Sequence, residues 1–373
     1  MKRIAIILGT RPELIKMSPL IRECEKQGLD YFILHTGQHY SYNMDRVFFE
    51  QLGLPEAMYN LDVGSGKHGA QTARMLAGIE KILIEEDLGA VLVEGDTNTV
   101  LAGALAASKL GIRIGHVEAG LRSYDRKMPE EINRVVADHI SDYLFAPTEK
   151  SKDILLGEGI IEEKISVTGN TVVDAVYQNL EIVNNGSETF GSIEGIAAIE
   201  GIEGIEEIGK DEYFLATAHR QENVDNIRRF AGILKGLELV SREFSLPVIY
   251  PIHPRSRKMM KEFGLDAVGV TFTKPLDYLS FLKLEADARL VLTDSGGVQE
   301  ESCILGVPCV TLRDNTERPE TVTVGANLLA GADYKKILDS VRTMLTRTRD
   351  WDNPFGDGRA GARIVEILRG AMT

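Results

Sequence analysis

Residues 3–28 read RIAIILGTRPELIKMSPLIRECEKQG, and this stretch decides the fold class. Residues 4–8 are an unbroken apolar run, as a strand covered on both faces requires. Gly9 ends the run and lets the backbone turn. Pro12 stands where a helix starts, and Leu14, Met17, Leu20, Ile21 and Cys24 recur at helical spacing until Gly28. A buried strand leading into an amphipathic helix is the opening of a βαβ unit, and so of a parallel sheet covered on both sides.

The alternation continues outward from there. Residues 31–34, 90–93, 113–117 and 143–146 read as further strands, with helices at 71–85 and 99–109. The series restarts with strands at 213–216, 247–250, 270–272, 289–292 and 309–312. The expectation is an α/β chain of two doubly wound domains facing each other. Their bounds are 1–180 and 211–350, and residues 351–373 end in a helix that packs back toward the first domain. Residues 186–209, GSETFGSIEGIAAIEGIEGIEEIG, repeat an Ile-Glu-Gly-Ile motif and carry no basic or catalytic residue. Each glycine costs a helix about 1 kcal/mol, so residues 181–210 read as a low-complexity linker or surface insertion.

Composition narrows the function. The 373 residues are 43% hydrophobic and 26% charged, which excludes a mainly disordered chain. With 56 acidic and 42 basic residues the net charge is −14, the wrong sign for a nucleic-acid binder. No apolar stretch approaches the ~20 residues of a membrane span. The apolar run near the N-terminus is too short for a signal peptide. Cys24, Cys303 and Cys309 are odd in number and spaced like no zinc or CxxC motif, so a reducing, cytoplasmic setting is expected.

Four segments place chemistry at strand ends, where open α/β sheets bind ligands. In GTRPE, residues 9–13, Arg11 enters a helix whose free N–H groups favour anions, with Lys16 one turn on. These suit a phosphate, or Glu13 pairs with Lys16 on the surface. In EGDTNT, residues 94–99, Asp96 either caps a helix or faces a ligand. HVEAGLR (116–122) and PEEINR (129–134) bring Glu118, Glu130 and Arg134. Glu130 and Arg134 are spaced for a helical ion pair. Alternatively Asp96, Glu118 and Glu130 converge as an acid/base set with separated pKa values. In TDSGGVQEE, residues 293–301, Ser295, Gly296 and Gly297 offer a phosphate cradle at a helix start. There Glu301 can accept from ribose hydroxyls, and Arg318 can add charge to the same pyrophosphate. His219 and His253 each read as a phosphate contact or as structural. No metal-ligand cluster, Walker A loop or GxGxxG fingerprint is present, which weakens a metal, NAD or FAD.

Together these motifs resemble the non-hydrolysing UDP-N-acetylglucosamine 2-epimerases. GTRPE, GDTNT, HVEAGLRS, PEEINR, AHRQEN, TDSGGVQEE and LRDNTERPE occur in family order between residues 9 and about 320, and NPFGDG follows at 353–358. The resemblance implies two Rossmann-like domains across a cleft, of GT-B type. It implies interconversion of UDP-N-acetylglucosamine and UDP-N-acetylmannosamine with no redox cofactor, and a homodimer. By motif, Arg11 and Lys16 would lie near phosphates, Asp96, Glu118 and Glu130 at the sugar with Arg134 beside them, and His219 at the phosphates with a catalytic part. Phe281 would meet uracil, Ser295, Gly296 and Gly297 the pyrophosphate, Glu301 the ribose, and Arg318 the phosphates. Gln38, His39 and Gln71 match a regulatory subsite of bacterial relatives, but Ala70 stands where those relatives carry arginine. Weaker or altered activation by substrate is the expectation.

Overall fold

A computed structural model describes residues 2–38, 42–185 and 208–372. His39 and nearly all of the repetitive insertion lie outside the described residues. The chain forms two compact units, Met1–Gln178 together with Phe355–Thr373, and Asn179–Pro354.

The first unit holds seven parallel strands: β1 (Arg3–Leu8), β2 (Tyr31–His35), β3 (Tyr59–Asn60), β4 (Leu88–Glu94), β5 (Arg113–Val117), β6 (Tyr143–Ala146) and β7 (Ile165–Val167). Their order is β3-β2-β1-β4-β5-β6-β7, so the chain reverses its direction of winding between β1 and β4. Residues 4–8 of β1 are at most 1% exposed, as their unbroken apolar run demands. Burying such a side chain contributes about 1.5–3 kcal/mol, so the central strand anchors the unit.

The second unit repeats the plan with β8 (Phe214–Thr217), β9 (Val248–Pro251), β10 (Val270–Thr273), β11 (Leu290–Thr293), β12 (Cys309–Thr311) and β13 (Asn327–Leu329). Its order is β10-β9-β8-β11-β12-β13, again parallel, with the switch between β8 and β11. Both sheets are the Rossmann-like, doubly wound α/β architecture expected.

Gly9 stands between β1 and the helix Arg11–Lys26, where no side chain fits. A Cβ there would lie 2.0 Å from Thr36 Oγ1 and 2.4 Å from Thr99 Oγ1, so glycine is needed for close packing. The three cysteines are free and buried. Among the described residues no helix is long and apolar enough to cross a membrane.

The last helix, Ala360–Met372, belongs to the first unit and lies against the helix Arg11–Lys26. Gly361 permits this, since a Cβ there would stand 3.1 Å from Pro19. Its two leading N–H groups, of Ala360 and Gly361, donate to the buried Asp174 carboxylate at 3.1 and 2.9 Å. Asp174→Ala should therefore cost about 1–2 kcal/mol. In hydrogen exchange the loss should appear first in residues 360–372, and Asp174→Asn should restore part of it. Unchanged exchange in that helix would show that it is held by other means.

Candidate active site

The carboxyl ends of β1, β4 and β5 meet at the switch point of the first sheet, and parallel register sets their levels. Leu92 pairs with Ile6 across one gap, and Glu94 pairs with Val117 across the other. The residues that follow each strand therefore emerge side by side.

After β1, Thr10 caps the helix Arg11–Lys26 by accepting from the Glu13 N–H. The Glu13 carboxylate turns back to accept the Gly9 N–H at 2.8 Å and the Thr97 hydroxyl at 2.5 Å. This variant of a capping box consumes Glu13. Burial pushes its carboxyl above the usual range, and the Thr97 and Gly9 hydrogen bonds oppose that. Lys16 stands one turn further along the same helix. Its ammonium lies 2.7 Å from each carboxylate oxygen of Glu118 and 3.2 Å from Glu94 Oε1. The lysine expected near phosphates here sits among carboxylates. Arg11 opens the same helix, its guanidinium 5.5 Å from the Phe48 ring centroid.

Glu94 is the last residue of β4 and only 2% exposed. Burial drives its carboxyl well above the ordinary range, Lys16 opposes this, and Glu118 and Glu13 reinforce it. Glu118 follows β5 with φ +67°, a left-handed conformation that a glutamate adopts at a cost of about 1–3 kcal/mol. It also accepts from Asn170 Nδ2 at 3.3 Å.

Asp96 does not cap the next helix, because Thr97 does so by accepting from the Val100 N–H. Asp96 pairs with Arg134 instead. Burial raises its carboxyl, Arg134 pulls it back, and Glu118 pushes it up again. The expected pairing of Glu130 with Arg134 is replaced by Glu131, 3.4 Å from that guanidinium. Glu131 also takes the Ser123 and Tyr124 N–H groups at 2.8 and 3.0 Å. Glu130 is half-buried in the first turn of Pro129–Ile140. Among the described residues it makes no hydrogen bond or ion pair with Asp96 or Glu118.

Sequence reasoning left out the group behind these loops. His116, on β5, is fully buried with Nδ1 2.7 Å from Asp138 and Nε2 2.8 Å from the Gly95 carbonyl. Asp138 also accepts from the Gly120 N–H at 3.2 Å and lies 2.7 Å from Arg122, so it is an anion. A carbonyl only accepts, so both ring nitrogens of His116 carry protons. Burial alone would lower the imidazole, but Asp138 and the Gly95 carbonyl outweigh it and hold it raised. The imidazolium fixes the Gly95–Asp96 turn.

Gln71 donates to the Gln38 and Gly64 carbonyls at 2.9 and 2.8 Å and accepts from Asn98 at 2.8 Å. The Gln38 side-chain oxygen accepts from the Thr99 N–H at 3.1 Å. Both glutamines are buried in this network, which reaches the Asp96 carbonyl through Asn133 Nδ2 at 2.9 Å.

In the second unit the buried Asp294 carboxylate collects the N–H groups of His219 and Arg220 and the Asn223 amide, all at 3.0 Å. It shapes the loop after β8 and leaves the His219 ring half-exposed. Burial lowers that imidazole, Asp294 opposes the shift, and Arg220 and His253 add to it. His253 caps the helix Pro254–Glu262, its ring centroid 6.1 Å from that of His219.

Ser295 precedes the helix Gly296–Leu305 without capping it through its side chain. A Cβ on Gly296 or Gly297 would meet protein atoms no closer than 3.4 and 4.0 Å, and neither φ is positive. The fold does not need glycine at these places, whereas close approach of an anion to the helix N-terminus does. Arg318 stands beside this helix, 2.7 Å from Glu300. Glu301 lies in hydrogen-bonding reach of Tyr278 and Glu285. Phe281 is half-buried on the helix Tyr278–Asp287.

The His116–Asp138 pair makes stability depend on pH. A raised imidazole contributes fully below its ordinary value of 6.5 and loses that contribution as pH rises through the folded value. Asp138, held down mainly by His116 against burial, contributes above 3.8 and loses it as pH falls through the folded value. The stability difference between wild type and His116→Gln, about 3 kcal/mol, should peak between these limits in urea titrations. A difference that grows on the alkaline side would contradict the imidazolium.

The family described as UDP-N-acetylglucosamine 2-epimerase matches residues 22–369. The UDP-N-acetylglucosamine 2-epimerase of Methanocaldococcus jannaschii is 55% identical over 98% of both chains. The crystal structure of the M. jannaschii enzyme with UDP-GlcNAc and UDP superposes with a TM-score of 0.82 over 99% of both chains at 55% identity. The UDP-2,3-diacetamido-2,3-dideoxy-D-glucuronate 2-epimerase of Pseudomonas aeruginosa is 44% identical over 98% of this chain and 99% of its own. With its two doubly wound sheets and charged strand ends, this chain belongs to the UDP-N-acetylglucosamine 2-epimerase family.

Proposed function

We propose that this chain reversibly epimerises C2 of UDP-N-acetylglucosamine, giving UDP-N-acetylmannosamine without hydrolysis and without a redox cofactor. The observation that carries the proposal is the set of coupled carboxylates at the ends of β4 and β5, Asp96 on Arg134 and Glu118 on Lys16. Binding a nucleotide does not require them, and inverting a carbon centre does.

The C2 hydrogen is not next to a carbonyl, so a free carbanion is out of reach. A carboxylate takes the C2 proton while the C1–O bond breaks and its electron pair leaves with UDP. A C1–C2 double bond forms, giving 2-acetamidoglucal. UDP oxygen then re-adds at C1 and a proton arrives on the opposite face of C2. Asp96, Glu118 and Glu130 supply the acid/base groups, and nearby carboxylates favour the oxocarbenium character at C1. Arg11, His219, Arg318 and the amides of Ser295, Gly296 and Gly297 stabilise the departing pyrophosphate by preorganised charge. Glu301 takes the ribose and Phe281 packs near uracil. The product would supply N-acetylmannosamine units for cell-surface polysaccharides or glycans.

A second reading is a 2-epimerase of a UDP-diacetamido-uronic acid, favoured by the similarity to the P. aeruginosa enzyme. We further propose a homodimer, which a monomeric mass in light scattering would contradict. With Ala70 before Gln71, activation by substrate should be weak. A steep sigmoidal rate curve abolished by Gln71→Ala would contradict that.

Proton NMR of UDP-N-acetylglucosamine with the protein in deuterated water should show UDP-N-acetylmannosamine growing, with deuterium at C2 of both sugars. Glu118→Gln should lower kcat by about 10²–10⁴-fold with UDP binding unchanged. Free N-acetylmannosamine would overturn the non-hydrolysing assignment. Turnover of the uronic acid alone would establish the second reading.

A further inference from the structure

Glu94 closes β4 as the last residue of an apolar strand, LGAVLVE, yet it is a carboxyl group with 2% exposure. Around it stand Lys16 and Glu13 from the helix Arg11–Lys26 and Glu118 from the end of β5. Behind Glu118 lies the imidazolium of His116, and beside it Asp96 on Arg134. One ammonium therefore serves two neighbouring carboxyl groups, and its geometry distinguishes them. Lys16 Nζ sits 2.7 Å from both oxygens of Glu118, the symmetric placement that a delocalised anion attracts. It is 3.2 Å from one oxygen of Glu94, which receives no directed hydrogen bond there. Two anions in hydrogen-bonding contact without water would repel each other, and a single proton between them removes the repulsion.

We infer that Glu94 is a neutral carboxylic acid that donates its proton to the Glu118 carboxylate and acts as a positioning residue for it. Together with Lys16 it fixes the charge and direction of Glu118 in its left-handed backbone. The role rests on the reading of Glu118 as an acid/base group in C2 epimerisation. The neutral acid itself does not rest on that reading.

Infrared spectroscopy of the unliganded protein tests the proton. At neutral pH the wild-type-minus-Glu94→Gln difference spectrum should contain the carbonyl band of a protonated carboxylic acid. The wild-type-minus-Glu118→Gln spectrum should contain it too, because Lys16 then faces Glu94 without the Glu118 carboxylate and Glu94 ionises. Absence of the band from both differences would overturn the inference, whatever substrate the enzyme takes.

Kinetics test the positioning. Glu94→Gln keeps a neutral donor in place and should stay within about tenfold of wild-type kcat. Glu94→Leu, well suited to a dry apolar strand end, should lose about 100-fold or more in kcat with KM nearly unchanged. Purely structural burial predicts the reverse ranking. As pH rises, Glu94 ionises in the wild type and the rate should fall, whereas the Glu94→Gln profile should lack this alkaline limb. Superimposable profiles, or a Leu variant more active than Gln, would overturn the positioning role.

Discussion

A single ammonium group organises the first unit's site. Lys16 reaches from the helix after β1 to the glutamates that end β4 and follow β5. It links the three segments between which the winding of the sheet reverses. Removing this cation would leave two buried carboxyl groups facing each other in a low dielectric, a situation that neither tolerates as an anion. Lys16 holds both oxygens of the left-handed Glu118, while Arg134 directs Asp96. Buried backbone partners complete the frame. Asp138 holds the Gly120 N–H, His116 holds the Gly95 carbonyl, and Glu13 holds the Gly9 N–H.

The second unit solves a related problem with the opposite charge. Asp294, at the end of β11, is wholly buried and draws in backbone N–H groups from the loop after β8. That anion is spent on shaping protein, and the His219 ring, the leading N–H groups of Gly296–Leu305 and Arg318 stand near the same strand ends, with Glu317 beside Gly296. Bare N–H groups at a helix start favour an anion locally whatever the net charge of the chain, which is −14 here.

The sequence was most legible where burial acts on both faces of a strand. Every long apolar run became a strand within about two residues at its ends. The strands it did not show are β3, β7 and β13, of two or three residues at or near the sheet margins. So short a run has no period to read. At the site, Asp96, Glu118 and Ser295 stood out because charge or glycine at a strand end is informative. Glu94, Asp138, His116 and Asp294 did not, because they differ from ordinary residues only through their three-dimensional partners. Thr10-Arg11-Pro12-Glu13 did hold a signal, the capping-box spacing, that predicts Glu13 for the helix start.

The three carboxylates that end β4 and follow β4 and β5 also show why one helix and one sheet edge can hold acid and base together. Glu94 has the driest place and the poorest share of the cation. Asp96 is partly open to solvent and bound by an arginine of its own. Glu118 lies between them, with both oxygens on the lysine. Identical chemical groups are thereby driven to different protonation states by surroundings alone, which acid/base chemistry at a single carbon demands. The same arrangement costs the fold stability, through buried charge and a strained glutamate backbone. It persists because β1, β4 and β5 are too deeply packed to let their ends relax.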